Sequence, residues 1–258
     1  MIPTNIRDLV NHINMDDKEA VEKFNDVYNG PYKRQLKLTS ARDTNRKNYY
    51  FIVNIPSSTS NKRALSYDVI IEVSNPKNSP NNIFEKNVRF FSNSPSFSFF
   101  YAYVYNRHGL LIPWLKNKYS GTILQKRPTS RNPKEEVKLD QSLKTALLYI
   151  AEVYKFDDMG NSRKVNRIFR NTINKDVVYK GIPTALEKTE ENKEVKQKEK
   201  RTEKRKQRVI STLKDPTSVF KPAPERRTTK KTRNYSTSNN KKRKPAVRKI
   251  TSKKSTRR

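Results

Sequence analysis

The chain has 258 residues, 33% of them hydrophobic and 32% charged, and its 57 Lys plus Arg against 25 Asp plus Glu leave a formal charge of +32. So little apolar material cannot build a core along the whole length, and so large a charge of one sign would repel itself in a compact particle unless a polyanion screened it. There is no cysteine, which excludes disulfides, zinc knuckles and thiol catalysis.

Helical spacing comes first. Ile6, Leu9, Val10 and Ile13 recur at the helical period, and so do Ala20, Val21, Phe24, Val27 and Tyr28, the second set following Asp16 with Glu19 as a capping box. Asn29, Gly30 and Pro31 stop that second helix. The opening MIPTNIRDLVNHIN has no basic region followed by an apolar stretch. The longest apolar runs, 99–105 and 146–151, are far shorter than a membrane span, and the expectation is a soluble intracellular protein.

Strand patterns follow. Tyr67, Val69, Ile71 and Val73 alternate with Ser66, Asp68 and Glu72, the period of a strand with one wet face, interrupted by Ile70. Residues 48–55 and 88–91 read as its neighbours. The run SFSFFYAYVY at 96–105 is dense in residues of high β-propensity and reads as a central strand. The stretches PSSTSNKR and SNPKNSPNN read as turns between antiparallel strands. A helix is then expected from Asn132 as N-cap, with Pro133 at its first position, Glu135 completing a capping box and an apolar stripe on Leu139, Leu143, Ala146, Leu147, Ile150 and Tyr154. A short helix around Val165, Ile168 and Phe169 closes the folded part. No internal repeat is present.

Charge divides the chain unevenly. Residues 1–186 hold 30 basic and 17 acidic side chains, and 187–258 hold 27 and 8. Within the second part, 187–200 is balanced at five against five, whereas 201–258 has 22 basic and 3 acidic residues. The expected organisation is an α+β domain over 1–186, a small mostly antiparallel sheet with flanking helices, then a charged helix or linker over 187–210 and a disordered basic tail over 211–258. The charged helix rests on good helix formers and pairs such as Glu194 with Lys198. The tail has almost nothing to bury.

Catalytic constellations are not evident. The five glycines lie at least 12 residues apart, which rules out Gly-rich phosphate loops. His12 and His108 sit in no ligand spacing and read as surface residues. Asp68 and Glu72 share a strand face, but four residues of strand span about 13 Å, too far for one metal. Asp16 with Asp17, and Asp157 with Asp158, read as helix-end and loop charges. Tyr101 to Val104 match half of an RNA-recognition-motif strand, but Phe99, Phe100 and Asn106 break the pattern. The chain reads as a non-enzyme without cofactor or metal.

The strongest binding signal is the basic run. Its clusters are Lys204, Arg205, Lys206 and Arg208; Arg226, Arg227, Lys230, Lys231 and Arg233; Lys241, Lys242, Arg243 and Lys244; and Arg248, Lys249, Lys253, Lys254, Arg257 and Arg258. Such clusters suit nucleic acid, DNA foremost, with weak sequence preference because phosphate contacts do not read bases. An anionic membrane fits less well, since no Trp, Leu or lipidation site accompanies them. Protein-interface candidates are Trp114, Tyr101, Tyr103 and Tyr105; for Trp114 a place in the core is an equal reading.

The segment FFSNSPSFSFFYAYVYNRHGLLIPWL at 90–115, with KRPTSRNP at 126–133 and the helix after it, resembles virion structural proteins of tailed bacteriophages from AT-rich hosts. The resemblance covers roughly residues 65–155. It implies a structural role in the particle, with other structural proteins as partners, oligomerisation through the assembly, synthesis in the host cytoplasm and a basic tail reaching packaged DNA. The alternative is a cellular nucleoid- or ribosome-associated nucleic-acid-binding protein.

Overall fold

Four strands form one antiparallel sheet in the order β1-β2-β3-β4: β1 (Lys37–Arg42), β2 (Asn48–Pro56), β3 (Ser66–Ser74) and β4 (Val88–Ser92). The computed structural model describes residues 5–31, 33–57, 65–74, 82–129, 132–156 and 160–214. The chain forms one unit over Met1–Gln207 and a second over Arg208–Arg258. The class is α+β, as composition and periodicity predict. Three strands follow the expected patterns, and β1, with the mixed sequence KLTSAR, is an addition. Most of the two stretches expected as turns lie outside the described residues, as does the tail expected over 211–258 apart from 211–214, which belong to the last helix.

The central strand corrects one expectation. Its alternation is real, but neither face is wet: Val69, Ile70, Ile71 and Val73 are all fully buried, and Glu72 is 2% exposed. Register places Phe51, Ile71 and Phe90 side by side on one face and Tyr50, Glu72 and Arg89 on the other. On the first face Phe51 meets the rings of Phe84, Tyr154 and Phe169. On the second, Tyr50 meets Trp114 edge-on and Phe91 meets Tyr119, so the segment after residue 110 covers the side that sequence alone leaves open to solvent.

Helices α1 (Ile6–Asp16) and α2 (Lys18–Asn29) form as their spacing dictates, burying Ile6, Leu9, Val10 and Ile13 on one and Ala20, Phe24 and Val27 on the other. The cap of α2 is Asp17, whose carboxylate accepts from Ala20 N at 3.0 Å, so the expected Asp16 capping box is off by one residue. Glu19 pairs with Lys23 instead.

The aromatic run is not a strand. It folds as α3 (Pro95–Phe100) and α4 (Ala102–Arg107), followed by α5 (Gly121–Gln125). Ser94 caps α3 through a 3.1 Å bond from Phe97 N, with Pro95 in the first turn. The buried positions Phe97, Ala102, Val104 and Tyr105 follow a helical rather than a two-residue period. A Ser-Pro start with that spacing outweighs the β-propensity of the rings.

Helix α6 (Gln141–Val153) carries the expected apolar stripe but begins later than expected, with Asp140 as its cap. Asn132 organises a turn instead: its amide nitrogen donates to the Glu136 carbonyl at 2.9 Å and its oxygen accepts from Glu136 N at 3.0 Å. Glu135 has a φ of 55°, a left-handed conformation that no α-helix continues through, and its carboxylate is held by Arg107 at 2.6 Å and Arg127 at 2.5 Å.

Helix α7 (Ser162–Ile168) matches the expected short helix, whereas α8 (Lys175–Gly181) is an addition. Between them Phe169 is fully buried against Tyr49 and Phe51. Short parallel bridges join Arg42 to Thr172 and Phe90 to Leu111 at the two sides of the sheet.

The charged helix forms as α9 (Ala185–Lys214). Its start is fixed by a reciprocal cap: Thr184 N and Oγ1 donate to Glu187 Oε2 at 2.6 and 2.9 Å, and Glu187 N donates back to Thr184 Oγ1 at 3.2 Å. Just before it, the Lys118 ammonium donates to the Ile182 carbonyl at 2.7 Å. Lys188, paired with Glu191 at 2.8 Å, is buried.

Lys144 on α6 donates to Asp17 and, as the largest cause, holds its carboxyl below the ordinary value. The stabilisation is therefore complete above the ordinary carboxylate range and is lost as pH falls through the lowered value. Asp17→Asn should melt below wild type at neutral pH, and the gap should close under about pH 4; Asp17→Ala, which also loses the cap, should cost about 1–2 kcal/mol. Separately, a fragment ending at Gln207 should melt like the full chain in circular dichroism. One ending at Leu186 should fold but lose about 1 kcal/mol, because it lacks the Glu187 half of the cap.

Candidate nucleic-acid interface

Helix α9 carries the described part of the basic run that begins at residue 201. Lys204, Arg205 and Lys206 are exposed on it, and Arg208 lies on the same helix. The remaining candidates, Arg226 to Arg258, lie outside the described residues. Lys193, Lys196, Lys200 and Lys204 recur three or four residues apart, which places them on one helix face. Glu187, Glu190, Glu191 and Glu194 occupy the first turns, so acid stands at the positive end of the helix dipole and base toward the negative end. Among the described residues no carboxylate pairs with Lys193, Lys196, Lys200 or Lys204.

The upper end of that basic face borders a cavity of about 380 Å³. Lys193 and Lys196 line it from α9, Pro56 and Tyr67 from the adjoining ends of β2 and β3, and the starts of α3 and α6 bring Ser96 and Asp140 to it. Asp140 is 4% exposed. Its carboxylate accepts from Ser94 Oγ at 2.9 Å, Ser142 Oγ at 2.9 Å and Leu143 N at 3.0 Å. Burial raises its pKa, and those three donors oppose the shift. Ser142 Oγ also lies 2.8 Å from Ser92 Oγ, and the Tyr119 hydroxyl donates to the Ser92 carbonyl at 2.8 Å. These groups cap two helices and join them to the end of β4.

The carboxylates considered as metal ligands are used elsewhere. Asp68 accepts from Asn54 and Asn93 side chains, each at 2.9 Å. Glu72 lies 3.3 Å from Arg89. His12 Nδ1 is 2.6 Å from Asp16 on the exposed face of α1, and His108 is exposed after α4. Among the described residues no three His, Cys, Asp or Glu side chains converge as a metal site, and no described helix is long and apolar enough to cross a membrane.

The four docking candidates separate. Tyr105 is 1% exposed, its ring lies between Phe90 and Phe97, and its hydroxyl donates to the Lys138 carbonyl at 3.1 Å. It belongs to the core, and burial pushes its hydroxyl pKa well up. An interface role for Tyr105 presupposes a strand, and the residue lies on the inner face of α4 instead. Tyr101 and Tyr103 are half-buried, the Tyr103 ring facing the Arg107 guanidinium at 5.9 Å, and Phe99 beside them is exposed. Trp114 is half-buried, 6.1 Å from Tyr50 and 6.0 Å from the Lys175 ammonium. The half-match to an RNA-recognition strand disappears with the strand itself.

Sequence reasoning missed the cavity, because its lining comes from six separated segments. The local signals that could have pointed to its rim are the caps, Ser94-Pro95 and Asp140. Comparison with known protein families, with characterised proteins and with solved structures yields no match.

Trp114→Ala should lower stability by about 2 kcal/mol in urea denaturation, since the ring packs on Tyr50. Tyr103→Ala, on the outer face of α4, should cost under about 1 kcal/mol. A Trp114 variant with wild-type stability would return that residue to the docking surface.

Proposed function

We propose that this chain is a non-enzymatic structural protein of a phage particle. Its folded unit docks on other virion proteins, and its basic chain, from α9 onward, contacts packaged DNA without reading sequence. One observation carries the nucleic-acid reading: 22 basic against 3 acidic residues over 201–258, beginning on a helix where Lys204, Arg205 and Lys206 are exposed. Counterion release from nucleic-acid phosphates gives such a segment its affinity. Tyr101, Tyr103, Phe99 and Arg107 supply the aromatic and guanidinium groups that suit a docking surface. The placement in a virion rests on the resemblance of 90–115 and 126–133. A nucleoid- or ribosome-associated role would use the same chemistry, and mass spectrometry of purified particles separates the two.

Binding to duplex DNA should be weakly selective. With about 6 to 10 phosphates contacted, affinity should fall roughly 10³- to 10⁵-fold between about 50 and 200 mM salt. Deleting 201–258 should remove most of the binding in a filter or fluorescence titration. Salt-insensitive or strongly sequence-selective binding by the truncated chain would contradict this reading.

A further inference from the structure

We infer that the cavity beside α9 holds one nucleotide of a bound single strand, its phosphate on Lys193 and Lys196 and its base against Tyr67 and Pro56. The inference rests on the nucleic-acid reading above and extends it from the tail to a built site on the folded unit.

The cavity is two-sided in chemistry. One wall carries two exposed ammonium groups on the same face of α9, with no carboxylate paired to either among the described residues. The lining from β2 and β3 offers the half-buried ring of Tyr67 and the buried ring of Pro56. An anion with a flat, largely apolar body satisfies both walls together. A bare phosphate would leave the apolar wall wet, and a purely apolar ligand would leave the lysines without a counter-charge. A volume of about 380 Å³ falls in the range of roughly 300–1,000 Å³ that small-ligand sites occupy.

The neighbouring groups supply direction. Ser96, Gln141 and Thr145 also line the cavity and present hydroxyl and amide groups of the kind that meet the edges of an unstacked base. Asp140 also reaches the lining, but its oxygens are taken up by Ser94, Ser142 and Leu143, so its charge is held on the protein side.

The cationic face does not stop at the cavity. Lys200 and Lys204 continue it at four-residue steps, about 6 Å apart along the axis, a pitch that a strand leaving the cavity can follow phosphate by phosphate. A duplex cannot use this site, because its bases are stacked inside. Single strands combine such a basic track with aromatic contacts to their bases.

The test is photocrosslinking of a short oligonucleotide containing 5-iodouridine to the full-length protein, with adducts mapped by mass spectrometry. The expected result is an adduct on Tyr67 that an unlabelled single strand competes away better than a duplex of the same length. In Lys193→Gln/Lys196→Gln, the ratio of Tyr67 adduct to adducts within 201–258 should fall at least ten-fold. Ser96→Trp, which fills the cavity from its rim, should do the same, with circular dichroism melting confirming that both variants fold. Adducts confined to 201–258 would overturn the inference and leave the proposed function standing. No binding of any nucleic acid would overturn both.

Discussion

The carboxylate of Glu72, 2% exposed in the middle of the sheet, sets the terms for everything packed on that side. A buried charge is costly unless it is paired and hydrogen-bonded. Here the pairing runs across the strands: Arg89 on β4 lies 3.3 Å away, and Tyr50 on β2 is its register neighbour. The Tyr50 hydroxyl in turn donates to Asp43 at 3.3 Å, and Asp43 holds Lys175 at 2.9 Å. Burial and the carboxylates of Glu72 and Asp43 raise the Tyr50 pKa, keeping that hydroxyl a donor. This row lets the sheet carry polar residues on a covered face. It also ties the start of α8, through Lys175, to the second face of the sheet.

The same row explains which parts of the fold were legible in the sequence. Ser66, Asp68 and Glu72 gave the strand and its phase correctly, because alternation is a local property. They could not reveal that the polar side would be covered, because the cover comes from Trp114, Tyr119 and Lys175, tens of residues away. Helices α1, α2 and the stripe of α6 were readable for the same local reason. The run at 96–105 was misread because propensity favoured a strand, while the deciding signals were a Ser-Pro cap and a helical spacing of buried rings. At 132–136 the residues of a helix start are all present, yet Glu135 adopts a φ of 55° and its carboxylate pairs with two arginines. The basic candidates on α9 were legible from composition, and the cavity beside them was not.

Helix α9 shows how a helix with few apolar residues is held in place. It has neither a buried stripe nor high mean hydropathy, so packing alone cannot fix it. Its position depends on its first turn: the Thr184–Glu187 cap, the buried Lys188, and the Lys118 ammonium on the preceding carbonyl of Ile182. Acidic residues near its start and basic residues later suit its own dipole. The basic face is thus formed before any partner arrives, and a ligand that meets it does not have to bear the cost of folding it.

The bridges at the sides of the sheet have a consequence for crowding. An open strand edge invites pairing with another molecule, and proteins held at high concentration must block that route to aggregation. On β4, Phe90 N donates to the Leu110 carbonyl and Ile112 N to the Phe90 carbonyl. On β1, Arg42 exchanges the equivalent bonds with Asn171 and Ile173, and the exposed Lys37 stands at the other end of the strand. Each margin is thus engaged by backbone bonds at one point, Phe90 on β4 and Arg42 on β1, which shortens the run of strand open to pairing with another molecule.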